Sequence, residues 1–491
     1  MNQLFLKQFL CLAGLFFAIT SNAQEWVQVG ADINNTSSGF GDAVALSDDG
    51  STMIIGAPFH FDGTNYVGAA YVYRKSTTGD SWEQLGLRIA GTADADRLGY
   101  AVAISADGNT VAVSLPGVDN PTIQVGKVRV YSFDGSDWVQ KGADISTSGG
   151  YEFGYDLSMS HNGDLVAVTT IGDLGGDVCY TWNGTAWEQQ GQLFVEAGDF
   201  SPFSVALSGD GNRMVFGSPN LFGLVDELGS VYAFSWTGSA WSPLGQPMLG
   251  TVLYNDFGSV VSTNLTGDRI AVGIPDQTGS IGNLQGAVEV YEYNSGSDSW
   301  GQMGATLEGE DAYDYFGRAL QLSSQGNTLI VGSGENDNPG GSNAGHVRIF
   351  DWDGTDWVQR GMDVDGLAFN DNSGEALSVS GDGQALAIAS PGSGKVRYYE
   401  WSTTSALETV KTAGFTFGPN RTSGSFYVDL EENYRHIELS VYDMSGRLLV
   451  RQTATGRERL EVQLPTAFSG QCVVSCFGDG RFLGVMSLTK Q

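Results

Sequence analysis

The sequence predicts an all-β protein: a seven-bladed β-propeller closed by its N-terminal strand, followed by a small β-sandwich domain. Seven pentapeptides of one pattern run through it: WVQVG (26–30), WEQLG (82–86), WVQKG (138–142), WEQQG (187–191), WSPLG (241–245), WGQMG (300–304) and WVQRG (357–361). Their tryptophans are spaced 56, 56, 49, 54, 59 and 57 residues apart, which is the size of one propeller blade. Composition agrees, because 69 glycines, 11 tryptophans and 41% hydrophobic residues in a 491-residue chain describe a turn-rich folded protein and not a disordered one.

The chain opens on what reads as a signal peptide over residues 1–23. Lys7 is its positive region, Phe9 to Thr20 its apolar run, and Ser21-Asn22-Ala23 places small residues three and one before a cut. Cleavage after Ala23 makes Gln24 the expected first residue of an exported chain. That apolar run is short for a membrane anchor, and no other stretch is long and apolar enough to span a bilayer, so no transmembrane segment is expected.

Residues 24–401 then repeat one order of short runs. FGDAVALSDDG is followed by STMIIGAP, a variable loop, GAAYVYRK, a polar turn and WEQLG. Later units follow the same plan, as in LGYAVAISADG with TVAVSLP and FGRALQLSSQG with TLIVGSG. Runs rich in β-branched residues between Gly, Asp and Asn turns are strands, four per unit, named a to d. Seven a, b and c strands can be counted, but the seventh unit stops after VRYYEW (396–401) without a pentapeptide. WVQVG at 26–30 is the spare one, so the chain start should supply the outer strand of the last blade and leave only short, protected edges. The joins between a and b strands, SDDG, SADG, SHNG, SGDG and SSQG, read as tight type I′ Asp-Gly hairpin turns.

Phe40-Gly41 with Gly56-Ala57-Pro58, and Phe-Gly again at 153–154, 257–258 and 316–317, resemble the FG-GAP repeats of integrin α-chain propellers. The resemblance covers about residues 25–401 and implies the propeller fold, which by itself carries no function. It also implies calcium in an Asp-rich loop between strands a and b. Here that join is a four-residue turn with at most two acids, and calcium needs six or more oxygens, so no metal is expected at these seven places.

Charge marks a boundary near residue 401. Residues 24–401 hold 14 Lys+Arg against 47 Asp+Glu, while residues 402–491 hold nine of each. So acidic a body repels nucleic acid and anionic lipid, which excludes nucleic acid as a partner. After a linker over 402–414, the alternation in SFYVDL and SVYDMSGRLLV predicts a small antiparallel sandwich over 415–491. Its PN-x-TSG turn, VYD-x-x-G-R centre and basic end resemble the C-terminal sorting domain of type IX secretion cargo. That resemblance implies the type IX secretion machinery as a partner and a secreted or outer-cell-surface location. The cysteines left after the leader, Cys179, Cys472 and Cys476, are odd in number and read as buried small hydrophobes. In CVVSC the two sulfurs are four strand residues apart, about 13 Å, beyond disulfide reach.

Chemistry is sparsely signalled. His60, His161, His346 and His436 are scattered and expected at the surface or in turns, and no HExxH, GxSxG, P-loop or CxxC motif occurs, so no catalytic residue, metal ligand or cofactor is assigned. Asp94/Asp96, Glu310/Asp311/Asp314 and Asp371/Glu375 are carboxylate groups from which a glycosidase pair could be drawn, and nothing in the sequence chooses among them. Antiparallel strands put the d-to-a and b-to-c loops at one end of every blade. There, acids beside aromatic residues can hydrogen-bond and stack a sugar or dock a basic protein patch. The expected ligand-binding residues are Phe61, Tyr66, Asp94, Asp96, Glu310, Asp311, Tyr313, Asp314 and Tyr315, with Phe222, Tyr254 and Phe369 on the same face. Calcium is conceivable on this acidic face. The expected function is a binding or adhesion propeller for a glycan or protein; the alternative is an extracellular glycan-active enzyme using loop-face carboxylates.

Overall fold

A computed structural model describes residues 25–490 apart from 77–80, 118–125, 148–152, 171–177, 193–202, 220–227 and 403–414, and short stretches of the C-terminal unit (419–420, 423–424, 431–433, 444–446, 457–458, 466–469 and 479–480). The signal peptide, most of the linker and Phe222 lie outside the described residues. The chain folds as two units, one over residues 23–402 and another that holds residues 403–491.

The first unit is a seven-bladed β-propeller. In blade 1, strands a (Ala43–Leu46), b (Thr52–Ala57), c (Ala69–Lys75) and d (Trp82–Gln84) pair antiparallel in chain order, and the next five blades repeat this. Strand b is sandwiched between strands and between blades, so both its faces are buried and it reads as an unbroken apolar run, TMIIGA. Blade 7 has its a, b and c strands at Leu377–Val379, Ala385–Ser390 and Lys395–Ser402. Its d strand is Glu25–Gln28, in the register Trp26 to Trp401 and Gln28 to Tyr399, with the two indoles 5.2 Å apart. The spare pentapeptide closes the ring, as its count implies.

Four strands per blade proves one too few. In blades 1, 4, 5, 6 and 7 the chain leaving strand d makes a further two-residue strand on the free half of strand c, for example Ile89–Ala90 on Ala69–Ala70. Strand d is short and pairs only with the far half of strand c, so the remaining edge is covered by the outgoing loop.

The pentapeptide is a lock between neighbouring blades. Its indole Nε1 donates to the carbonyl of the fourth pentapeptide residue of the preceding blade, as in Trp138 to Leu85 (2.8 Å), Trp187 to Lys141 (2.7 Å) and Trp357 to Met303 (3.0 Å). Trp26 does the same to Arg360 at 3.2 Å. The closing glycine has positive φ, 70° at Gly86 and 82° at Gly191, and a Cβ there would press on the next tryptophan at 3.0 Å or less. The Trp and Gly of the motif therefore serve each other across blades, and the motif's spacing is the blade spacing. Trp82 is the exception: its indole nitrogen is buried with no acceptor, and its ring packs edge-on against Tyr398 at 4.8 Å. The other recurring glycines have a similar cause, since a Cβ on Gly56, Gly217, Gly273 or Gly332 of strand b would overlap the carbonyl of the Phe-Gly glycine, or its equivalent, in the next blade.

The a-to-b turns depart from expectation. Only their glycine is left-handed (Gly50 69°, Gly108 67°, Gly211 73°), whereas a type I′ turn needs two such residues. The serine explains this: Ser47 Oγ bonds Asp49 at 2.7 Å and accepts from the Thr52 amide at 2.9 Å, holding the residues before the glycine in ordinary right-handed backbone. The same clamp recurs at Ser105, Ser208 and Ser380. The turns also bond to one another around the axis. Amide to carbonyl, Asp48 meets Ala106, Ala106 meets His161, His161 meets Gly209, Asp210 meets Leu265, Leu265 meets Ser324, Ser324 meets Gly381 and Gly381 meets Asp48, all at 2.8–3.1 Å. This belt of backbone bonds closes on itself.

In the C-terminal unit, Phe415–Gly418, Ser425–Leu430 and Leu460–Gln463 form one sheet, and Arg421–Thr422, Arg481–Lys490, Gly470–Gly478, Tyr434–Asp443 and Leu448–Gly456 another. One apolar core, including Phe426, Val428, Leu439, Val462, Cys472 and Cys476, draws on both. Pairing is not wholly antiparallel, because Arg421–Thr422 runs parallel to the end of the last strand. Cys179, Cys472 and Cys476 are buried free thiols, as expected.

Candidate functional site at the channel mouth

Each a strand begins immediately after its Phe-Gly pair or the equivalent, at the loop end and closest to the axis. The phenylalanines are core anchors: Phe40, Phe153 and Phe316 are fully buried. In six blades a left-handed glycine follows this position, 97° at Gly41 and 92° at Gly99, and the next residue stands at the channel mouth; in blade 4 Phe203 holds the equivalent place with no glycine before it. Those residues differ between blades: Asp42, Tyr100, Tyr155, Phe203, Ser259, Arg318 and Glu375. Below them the a strands line a channel cavity of about 310 Å³, which ends at the belt of turns.

The mouth has two unlike halves. On blades 2, 3 and 4, Tyr100 and Tyr155 lie 5.4 Å apart and Tyr155 and Phe203 4.7 Å apart, making a continuous aromatic wall. On blades 6, 7 and 1 the groups are charged, and blade 5, whose own mouth residue is Ser259, adds Asp256 and Asp276 from its loops. Arg318 donates to Glu335 at 2.7 Å and stands 5.3 Å from the Tyr315 ring. Burial works against its charge, but Glu375, Glu335 and Asp276 outweigh it and raise the Arg318 pKa. One arginine does not satisfy the carboxylates. Burial, then repulsion from Glu375, pushes Asp42 up to about 6; burial, then Asp276, pushes Asp256 to about 6. Asp276 and Glu375 are also raised, by burial and by Glu335 with Arg318 opposing. This half of the mouth is short of positive charge, and the other half offers aromatic surface.

The residues expected from the sequence fall into two groups, and among the described residues no hydrogen bond, ion pair or ring contact joins them. Phe61 and Tyr66 do come together, 5.1 Å apart and 49% and 57% exposed, and Asp94 accepts from the Tyr66 amide at 3.1 Å. Glu310, Asp311, Tyr313, Asp314 and Tyr315 share the loop leading into blade 6, where Tyr313 is exposed.

The carboxylates of Asp96 and Asp314 are engaged by their own loops. Asp96 accepts the amides of Thr92 and Ala93, both at 2.8 Å. Asp314, 2% exposed, accepts those of Glu310 and Asp311 and the Asn336 side chain. Asp371 does the same for Leu367 and Ala368. Each anchor sits between two left-handed non-glycine residues, Ala95/Arg97, Tyr313/Tyr315 and Asn370/Asn372, and Asn255 sits likewise between Tyr254 and Asp256. Such backbone costs about 1–3 kcal/mol per residue and persists only where its surroundings hold it.

Two of the four histidines are misjudged by the sequence, since His60 and His346 are 9% and 1% exposed. Ser37 Oγ meets His60 Nδ1 at 2.9 Å. His161 stands in the belt, its Nε2 4.0 Å from Asp48. Among the described residues, Glu310, His346 and Asp363 are the group placed to hold a metal, their ligand atoms within 4.8 Å of one another. No helix among the described residues is long and apolar enough to cross a membrane. The sequence matches no family model and no curated protein.

Proposed function

We propose that this protein is a secreted or cell-surface binding and adhesion propeller that takes a glycan or a basic protein segment at the loop end of its channel. The two-sided mouth carries this reading. Carboxylates starved of positive charge favour a hydroxyl-rich or cationic ligand, and an aromatic wall of Tyr100, Tyr155 and Phe203 stacks a sugar face or an alkylammonium or guanidinium group. The Phe61/Tyr66 pair extends apolar contact on the outer rim. The Phe-Gly and Gly-Ala-Pro motifs support kinship with FG-GAP propellers, whose fold suits such a role. The apolar leader and the tail's VYD-x-x-G-R motif support export through type IX secretion.

A second reading, a glycan-active enzyme, has one specific observation in its favour: Asp42 and Asp256 are pushed to about 6, the range of a carboxyl that donates a proton at neutral pH. Probing glycan and basic-peptide arrays with the purified chain separates the two. Saturable binding without turnover, weakened by salt for a basic peptide, supports the first reading. Cleaved glycan that is lost in Asp42→Asn supports the second, and no binding on either array contradicts both.

A further inference from the structure

Three blades carry one outer module, in which strand c presents two side chains two residues apart to an aspartate from the loop leaving strand d. In blade 2, Lys127 and Arg129 face Asp144 at 3.4 and 2.9 Å. In blade 7, Lys395 and Arg397 face Asp32 at 3.6 and 3.3 Å. Blade 6 keeps the arginine and the aspartate, with Arg348 4.0 Å from Asp363, and has a second carboxylate, Glu310, 3.8 Å from Arg348, much as Arg397 of blade 7 has Asp371 at 3.6 Å. What sets blade 6 apart is the lysine's place, where a cation is replaced by the buried imidazole of His346.

His346 is 1% exposed, and its Nε2 has no hydrogen-bond partner. Its Nδ1 points at Asp363 Oδ2 from 3.9 Å, too far for a hydrogen bond. Asp363 is already oriented, since its Oδ1 takes the Gln359 amide at 2.6 Å and faces Arg348, leaving Oδ2 turned to the imidazole. A buried ring with no hydrogen bond, set between two carboxylates with all three ligand atoms within 4.8 Å, is a ligand set drawn slightly open.

We infer that Glu310, His346 and Asp363 bind a divalent transition metal of the zinc class. One imidazole with two carboxylates matches zinc's preference for mixed nitrogen and oxygen ligands, and three protein ligands leave a position for water; calcium prefers six or more oxygens and gains little from imidazole. Small rotations of the carboxylates bring the donors to the ~2.0–2.2 Å that zinc requires. The ion supplies the charge that Lys127 and Lys395 supply in the sister blades. It ties strand c of blade 6 to the loops entering and leaving that blade, next to Tyr313 and Tyr315.

Titrating the purified full chain with Zn2+ in physiological salt and millimolar Ca2+ tests this, with Co2+ as a spectroscopic probe of nitrogen coordination. One equivalent should bind with a Kd at or below the micromolar range. His346→Lys, which copies the sister blades, should abolish that site, and Glu310→Gln, an exposed substitution that leaves the fold intact, should weaken it at least tenfold. A Zn2+ isotherm unchanged in both Glu310→Gln and His346→Lys overturns the proposal. So does the absence of a saturable site in the parent, or Ca2+ binding there as tightly as Zn2+.

Discussion

The two ends of the propeller come from the same repeat and are built in opposite ways. At the turn end, seven near-identical four-residue turns satisfy their own polar groups and bond amide to carbonyl around the axis. Space there is made by omission: a Cβ on Gly381 would overlap the Asp48 carboxylate, and one on Gly209 would press on Leu265 and His161 at 2.5–2.6 Å. At the loop end the repeat diverges, backbone strain accumulates at four loops, and half-buried carboxylates crowd one arginine. One end closes the ring, and the other uses the rigidity so gained to hold strained, charged groups at the channel mouth.

Removing closure breaks both ends at once and has the largest expected effect. Deleting residues 24–31 bares the edge of Lys395–Ser402 and removes the Trp26 contact, a loss of about 3–5 kcal/mol on the scale of a large buried aromatic. Denaturant unfolding measures it, and an unchanged midpoint would mean that WVQVG is ornament. Gly381→Ala acts on the turn end alone. Its methyl must displace the partly exposed Asp48 carboxylate and its hydrogen bond from Ser324, so stability should fall by about 1 kcal/mol with ligand binding unaltered.

Asp42→Asn acts on the loop end and should have the opposite sign. Because the folded-state pKa of about 6 lies above the ordinary 3.8, the fold favours the protonated form. The cost of its charge is absent below pH 4, grows as pH rises through 4–6, and is complete above that. The variant should therefore match the parent at pH 3.5 and exceed it at pH 7 by about 1–2 kcal/mol after allowance for partial exposure. Melting temperatures at the two pH values decide it, and a variant less stable at pH 7 would mean that Asp42 is a satisfied structural group.

What the sequence revealed follows from what repeats. Blade number, strand order and closure by Trp26 were legible because each is a count of identical pieces. The fifth short strand was not, since Ile89–Ala90 and its counterparts are two residues long and carry no period. The turn type was missed because the Ser47 hydroxyl, and not the Asp-Gly pair, dictates the backbone. The roles of the acids were not legible for a related reason: proximity in sequence does not separate Asp96 and Asp314, whose carboxylates accept amides of their own loops, from Glu310, which faces Arg348. Asp42, Tyr155 and Arg318 escaped notice although the signal was present: each directly follows a Phe-Gly pair, and aligning that single position across blades displays the mouth. His346 was unreadable as buried until Lys127 and Lys395 gave its place in the blade a meaning.

The most direct test of recognition at the loop end is to compare binding of the strongest array ligand to the parent, Tyr155→Ala, Glu375→Gln and Asp48→Asn, with each variant first shown to unfold as cooperatively as the parent. The mouth variants Tyr155→Ala and Glu375→Gln should each weaken binding about tenfold or more, in line with the ~1–3 kcal/mol expected for a stacking or charged contact, while Asp48→Asn at the turn end leaves it unchanged. Full affinity in both mouth variants, or a loss confined to Asp48→Asn, would place recognition elsewhere and contradict this assignment.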